Sequence, residues 1–188
     1  MFTTNTVPCN LEQAALTYKS HITQRENRPM IFLGIDPGIK GGLAVINAQG
    51  RLLLHTRMPI VKRGKATHVY TSALRRWIEE LEAPHRVSTV MIEAVHSMPS
   101  QGVASSFTFG RVTGAVEGWA MSLCPDVRWV TPSVWKKHFG LSSDKQASLD
   151  WAKLRYGDDH QLWDVKANDG IAEALLLALY ARDAGGAK

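Results

Sequence analysis

Residues 30–45 read MIFLGIDPGIKGGLAV. An apolar run, Met30–Ile35, ends in one carboxylate, Asp36. A Pro-Gly turn follows, and a second apolar run begins after Gly41 and Gly42. This is the pattern of strand, tight turn, strand. It leaves a single acid at the C-terminal end of a strand that is otherwise apolar. A lone carboxylate there is costly to bury unless something positive, such as a metal ion, binds it. The other carboxylates of the chain therefore matter most.

Outward from this stretch, the pattern predicts strands over Met30–Asp36, Gly42–Ile46 and Leu52–Met58, with a hairpin turn at Asn47–Gly50. Lys62–His68 reads as a basic, glycine-containing loop. Val69–Leu81 reads as a helix with Leu74, Trp77, Ile78 and Leu81 on one face. Val87–Glu93, VSTVMIE, is a buried strand that again ends in an acid. Residues 96–110 have the composition of a loop, and a helix follows over Arg111–Leu123. Val127–Val130 is a short strand, and Thr131-Pro132 starts a helix with the hydroxyl as its cap. Ser142 or Ser143 caps a further helix that runs to Tyr156. The last helix runs from about Asn168 to Asp183. Three antiparallel strands followed by parallel ones, with helices on both faces, make a mixed α/β sheet. Residues 30–188 form one domain. Residues 1–29 form an extension, in which Leu11, Ala14, Ala15, Tyr18 and Ile22 share one helical face.

The chain has 188 residues, of which 45% are hydrophobic and 21% charged, ordinary values for a globular domain. A net charge of +5 is in keeping with a polyanionic partner such as nucleic acid. The two cysteines, Cys9 and Cys124, form neither a metal motif nor a disulfide framework, which suits a reducing compartment. No apolar run approaches the roughly 20 residues that span a bilayer, so no membrane partner is expected. A hydroxyl-rich N-terminus leaves an organellar leader open, although Glu12 and Glu26 argue against one. There is no phosphate-binding Walker motif, so no nucleotide cofactor is implied.

The acids form a constellation. Asp36 and Glu93 end two strands that can be neighbours in a mixed sheet, which would bring both carboxylates to one edge. Asp169 and Glu173 stand at i and i+4 on one face of the last helix, near its N-terminal end. That helix is otherwise apolar, so it packs closely on the sheet. Four converging carboxylates repel unless cations bind between them, and hard Mg²⁺ suits an all-oxygen ligand set. Two such ions, roughly 4 Å apart, activate a water and stabilise the leaving 3′-oxygen in phosphodiester cleavage. On the bland reading, Asp169 merely caps its helix and Glu173 is solvated.

GIDPGxxGGLAV, a strand ending in Glu93, and Asp169-xxx-Glu173 followed by ALLLALYA together resemble the RuvC-type Holliday junction resolvases of the RNase H-like superfamily. The resemblance covers residues 30–183 and lies in the order of the motifs. The segment MPSQGVASSFTFGR is most similar to phage, bacterial and plastid relatives. The resemblance implies a homodimeric endonuclease that uses two Mg²⁺ ions per active site, with Mn²⁺ able to substitute. Such an enzyme nicks a four-way DNA junction symmetrically, in the cytoplasm of a bacterial or phage-infected cell. The metal ligands would be Asp36, Glu93, Asp169 and Glu173. Many family members space the last two ligands by three residues; here the spacing is four, and Asp36, Glu93 and Glu173 form the minimal set.

In the family's position for junction contacts lie His96, Met98, Gln101, Phe107 and Phe109, suited to wedging, stacking or hydrogen bonding at bases. Arg111, at the start of the following helix, is a phosphate ligand in this reading. Lys145, and after it Lys136, match the catalytic lysines of the family and would stabilise charge on the transition state; both also fall among the DNA contacts. Lys62, Arg63 and Lys65 are candidates for unspecific phosphate contact. The competing readings are an RNase H-like nuclease acting on forks, flaps or RNA, a non-catalytic junction binder, and an actin-type ATPase. For a dimer, the face of the Arg111–Leu123 helix that carries Val112, Ala115, Val116 and Trp119 is a candidate interface, as is the N-terminal helix.

Overall fold

The computed structural model describes residues 26–64, 66–94, 102–157 and 160–185. Its sheet is built from β1 (Met30–Ile35), β2 (Gly42–Asn47), β3 (Leu52–Arg57), β6 (Arg86–Glu93) and β7 (Val127–Val130). The spatial order is β3-β2-β1-β6-β7. β1–β2 and β2–β3 pair antiparallel, whereas β1–β6 and β6–β7 pair parallel. This is the mixed sheet that the sequence predicts. A separate hairpin joins β4 (Ile60–Arg63) to β5 (Ala66–Val69). The helices are α1 (Thr71–Glu82), α2 (Val103–Leu123), α3 (Pro132–His138), α4 (Lys145–Arg155), the single-turn α5 (His160–Trp163) and α6 (Asp169–Gly185).

Alternation along the strands divides the core in two. Ile31, Leu33, Ile35, Leu43 and Val45 face α1 and α2, where Leu74, Ile78, Val112, Val116 and Trp119 meet them. Phe32, Ala44, Ile46 and Met91 face α6, α3 and α4. α6 is buried on every side from Gly170 to Leu179, as its apolar sequence demands. It can sit this deep because β1 carries no side chain at Gly34. A Cβ there would run into the Ala174 carbonyl and the Ala178 amide of α6.

Several local expectations change. Lys62–His68 is not a loop: it spans parts of both strands of the β4–β5 hairpin, which turns at Gly64 with φ +61. Its charge and glycine read as loop, but the segments on either side of the turn pair as strands. α2 begins at Val103, so residues 103–110 are helical. Their serines and glycine read as loop, but tertiary packing further along the helix overrides that weak local preference. Thr131 makes no capping bond to the backbone; its hydroxyl meets Ser133 Oγ at 3.1 Å. Asp144 caps α4, taking the Gln146 N–H at 3.0 Å, in place of Ser142 or Ser143. The expected dimer face of α2 is also overturned. Val112, Val116 and Trp119 are buried in the chain's own core, and Ala115 packs against it. The helix expected within residues 1–29 lies outside the described residues. No helix among them is long and apolar enough to cross a membrane.

Candidate active site

β1 and β6 are parallel neighbours with Ile35 opposite Ile92. The residues that follow, Asp36 and Glu93, therefore emerge side by side at one end of the sheet. The Asp36 N–H donates to the Gly42 carbonyl at 3.0 Å, which closes the turn. The Gly38 N–H donates to Asp36 Oδ1 at 3.1 Å and fixes the carboxylate. The N-terminus of α6 reaches the same place through a backbone bridge between Gly41 and Gly170. A Cβ on Gly170 would lie 2.6 Å from the Gly41 backbone, so this approach requires glycine. One turn further along α6 is Glu173. Asp36, Glu93 and Glu173 are 8%, 6% and 3% exposed.

Two ammonium groups enter this cluster. Lys136 of α3 lies 3.1 Å from Glu173 Oε1 in a nearly buried ion pair. Lys145, the first residue of α4, lies 3.5 Å from Asp169 Oδ2 at a more exposed position. Trp135, fully buried beside Lys136, donates its indole N–H to Glu93 Oε1 at 3.0 Å. Sequence reasoning missed Trp135, since nothing local marks a partner 42 residues away. It also missed Arg57, whose Nε donates to Asn168 Oδ1 at 2.7 Å. Asn168 in turn donates to the Leu162 carbonyl at 2.7 Å, so the turn that leads into Asp169 is tied to the end of β3.

The electrostatics follow from burial. Burial raises the Asp36 pKa from 3.8 to about 6; the Gly38 N–H opposes this, Glu173 and Asp169 add to it, and Lys145 opposes it. Burial raises the Glu93 pKa from 4.5 to about 7, with Asp36 and Glu173 adding to it, against the Trp135 hydrogen bond and Lys136. Lys145 loses some basicity to burial, but Glu173, Asp169 and Asp36 outweigh that loss and raise its pKa. Among the described residues, no group of three or more His, Cys, Asp or Glu side chains stands arranged as a metal-binding cluster. The donor set nonetheless fits a hard divalent ion. It is all oxygen, it is mostly buried, and two of its members, Asp36 and Glu93, are held above their ordinary pKa by burial and by neighbouring carboxylates.

The sequence-predicted DNA contacts fall into two groups. Phe107, Phe109 and Arg111 lie on α2, with Arg111 in its third turn and not at its start. Phe107 is exposed and Phe109 half-buried. The Arg111 guanidinium stacks 5.6 Å from the Phe107 ring and reaches His68 of β5. Lys62 and Arg63 are exposed on that hairpin. His96, Met98, Gln101 and Lys65 lie outside the described residues.

A mixed sheet of this order, with acids following two adjacent parallel strands and on the helix across them, has the layout of an RNase H-like α/β fold. No family model matches the chain, and no curated protein matches it. Solved structures do. A structure of T. thermophilus RuvC in complex with a Holliday junction substrate superimposes with a TM-score of 0.53 at 20% identity, over 84% of this chain and 96% of that one. A second T. thermophilus RuvC structure has a TM-score of 0.47 at 19% identity, over 82% of this chain and 97% of that one. The chain thus has a RuvC-type, RNase H-like fold.

Proposed function

We propose that this protein is a Mg²⁺-dependent endonuclease that resolves four-way DNA junctions by paired, symmetric nicks. The observation that carries the reading is the burial of Asp36, Glu93 and Glu173 together, at the strand ends of a RuvC-type fold. A protein that only binds DNA gains nothing from holding repelling carboxylates out of water.

Asp36, Glu93 and Glu173 would hold the metal, with Asp169 at the more exposed side. Bound there, Mg²⁺ (two ions per site, replaceable by Mn²⁺) supplies an activated water and neutralises charge at the leaving oxygen. The residues of the chain do the rest. The Gly38 N–H and the Trp135 indole orient Asp36 and Glu93. Lys136 and Lys145 place positive charge where the phosphate gains negative charge in the transition state. Hydrolysis breaks the P–O3′ bond, leaving a 5′-phosphate and a 3′-hydroxyl. Phe107, Phe109 and Arg111, with Lys62 and Arg63, would hold DNA beside the site, and His96, Met98 and Gln101 would contribute from the adjoining segment.

Paired nicks need two sites, so a homodimer belongs to the reading. The outer face of α2 suits a second copy. Gly114, Gly118 and Met121 fall on one stripe of the helix, C-terminal to the Phe107–Arg111 pair, and all are exposed.

The test is cleavage of a synthetic four-way junction with and without Mg²⁺, beside forks, flaps and RNA–DNA hybrids. Wild type should nick opposed strands of the junction only with metal. Asp36→Asn should lower the rate by at least about a hundredfold while junction binding persists. Full cleavage by that variant would remove Asp36 from the site. Cutting of forks or hybrids alone would keep the metal site and change the substrate.

A further inference from the structure

At the pole of the sheet opposite the carboxylates, the β2–β3 turn meets the C-terminal ends of α4 and α6. Two adjoining cavities open there, of about 580 and 530 Å³, and both are lined by Arg51, Arg155 and Tyr156. The first also takes in Arg182. The cluster is built and not splayed. The Tyr156 hydroxyl donates to the Gly50 carbonyl at 2.6 Å, and the Arg182 guanidinium lies against Gly50, where a Cβ would collide with it. Arg155 stacks 4.9 Å from the Trp151 ring. One acid of the cavity wall, Asp183, is engaged by Arg182 at 2.8 Å and by His138 at 3.1 Å. Among the described residues, Arg51 and Arg155 have no carboxylate partner. Asp158 and Asp159 follow in sequence but lie outside the described residues.

The second cavity follows β3, the edge strand of the sheet, through Leu52, Leu53 and His55. Beyond them β3 ends at Arg57, which is bonded to Asn168, the residue before Asp169. Positive side chains thus mark both ends of one edge, and the line between them finishes at the carboxylates. From Asp169 to Arg182 is 13 residues of helix, about 20 Å at 1.5 Å per residue, or about six steps of a nucleic-acid strand.

We propose that this groove is a second DNA contact, in which Arg51, Arg155 and Arg182 hold the phosphodiester backbone of a junction arm about six base pairs from the cut. It rests on the resolvase reading and gives the enzyme a feature that reading does not require, namely a grip on arm length. Arg51 and Arg155, set in cavities that follow the edge strand toward the cleavage site, suit the phosphate chain of the DNA that the site holds in that reading. The contact supplies affinity and orientation, not base selection.

The test measures binding in metal-free buffer to junctions whose hairpin-closed arms are about four or about twelve base pairs long. Arg51→Gln/Arg155→Gln should weaken binding of the long-armed junction about tenfold and reduce its salt slope by about two. The variant should leave the short-armed junction unchanged, so that the gap between the two affinities narrows about tenfold. Arg75→Gln/Arg76→Gln, which removes equal charge from exposed positions on α1, should show no such dependence on arm length. Equal losses on both junctions, or a loss on neither, would overturn the inference and leave the resolvase reading standing; a loss on neither would leave the groove to an acidic protein. Wild type that binds neither junction would overturn both.

Discussion

At the scale of the residue, the site combines groups that sequence marks plainly with groups it does not mark at all. Asp36 and Glu93 stand out because each ends an apolar run, and an acid there has few bland explanations. Glu173 stands out only as a partner at i+4 of Asp169. Trp135 carries no such mark: its role arises when α3 docks on β6 and its indole N–H meets Glu93. Sequence points to Lys145 before Lys136, yet Lys136 forms the more buried ion pair, with Glu173. Trp135→Phe removes the indole donor and leaves a smaller aromatic ring, so the hydrogen bond is read from the position of the pH limb and packing from its height. That bond lowers the pKa of Glu93. Its loss should push the Glu93 pKa further up and move the acidic limb of the pH–rate profile to higher pH. A profile that only drops in height, with its limb unmoved, would make Trp135 a packing residue.

At the scale of the element, the order of strands and helices was legible because period-2 and helical apolar patterns are strong in the centre of this chain. The edges were not legible. The β4–β5 hairpin hid behind its charge, and the first two turns of α2 hid behind serine and glycine. Spacing named a face of α2 but not which side would be covered, and the sheet took the apolar face expected for the dimer. The exposed stripe is the other one. A Cβ added at Gly114 would meet nothing within 4 Å, so Gly114→Glu should fold normally. If the stripe seats a second copy, the variant should sediment as a monomer at concentrations where wild type is dimeric. An unchanged sedimentation coefficient would send the interface elsewhere. The approach of α6 to β1 makes a sharper demand. Gly34→Ala forces a Cβ into the backbone of α6. Urea denaturation should show a loss of about 3 kcal/mol, the upper end for a forced overpacking. A loss under about 1 kcal/mol would mean that the helix can slide away.

At the scale of the whole molecule, stability and metal binding are linked through the same carboxylates. In the unfolded chain Asp36 and Glu93 release their protons near 3.8 and 4.5, but in the folded protein they keep them to about 6 and about 7. Between those limits the folded state holds more protons than the unfolded one. Stability from this source is therefore present in full below about pH 4 and is lost as pH rises to about 7. Metal-free protein should lose on the order of 2 kcal/mol between pH 5 and pH 8 from these groups, after allowance for their coupling. Mg²⁺ binds only the ionised carboxylates, so it restores what deprotonation removes, and does so more strongly as pH rises. Thermal melts with EDTA and with Mg²⁺ at the two pH values test this directly. The metal-dependent rise in Tm should be several degrees at pH 8, at roughly 2–4 °C per kcal/mol for a chain of this size, and close to nothing at pH 5. Asp36→Asn should flatten both the pH trend and the Mg²⁺ response, because it removes one titrating group and lightens the repulsion on Glu93. A Mg²⁺ stabilisation of equal size at both pH values would place the ion away from these carboxylates.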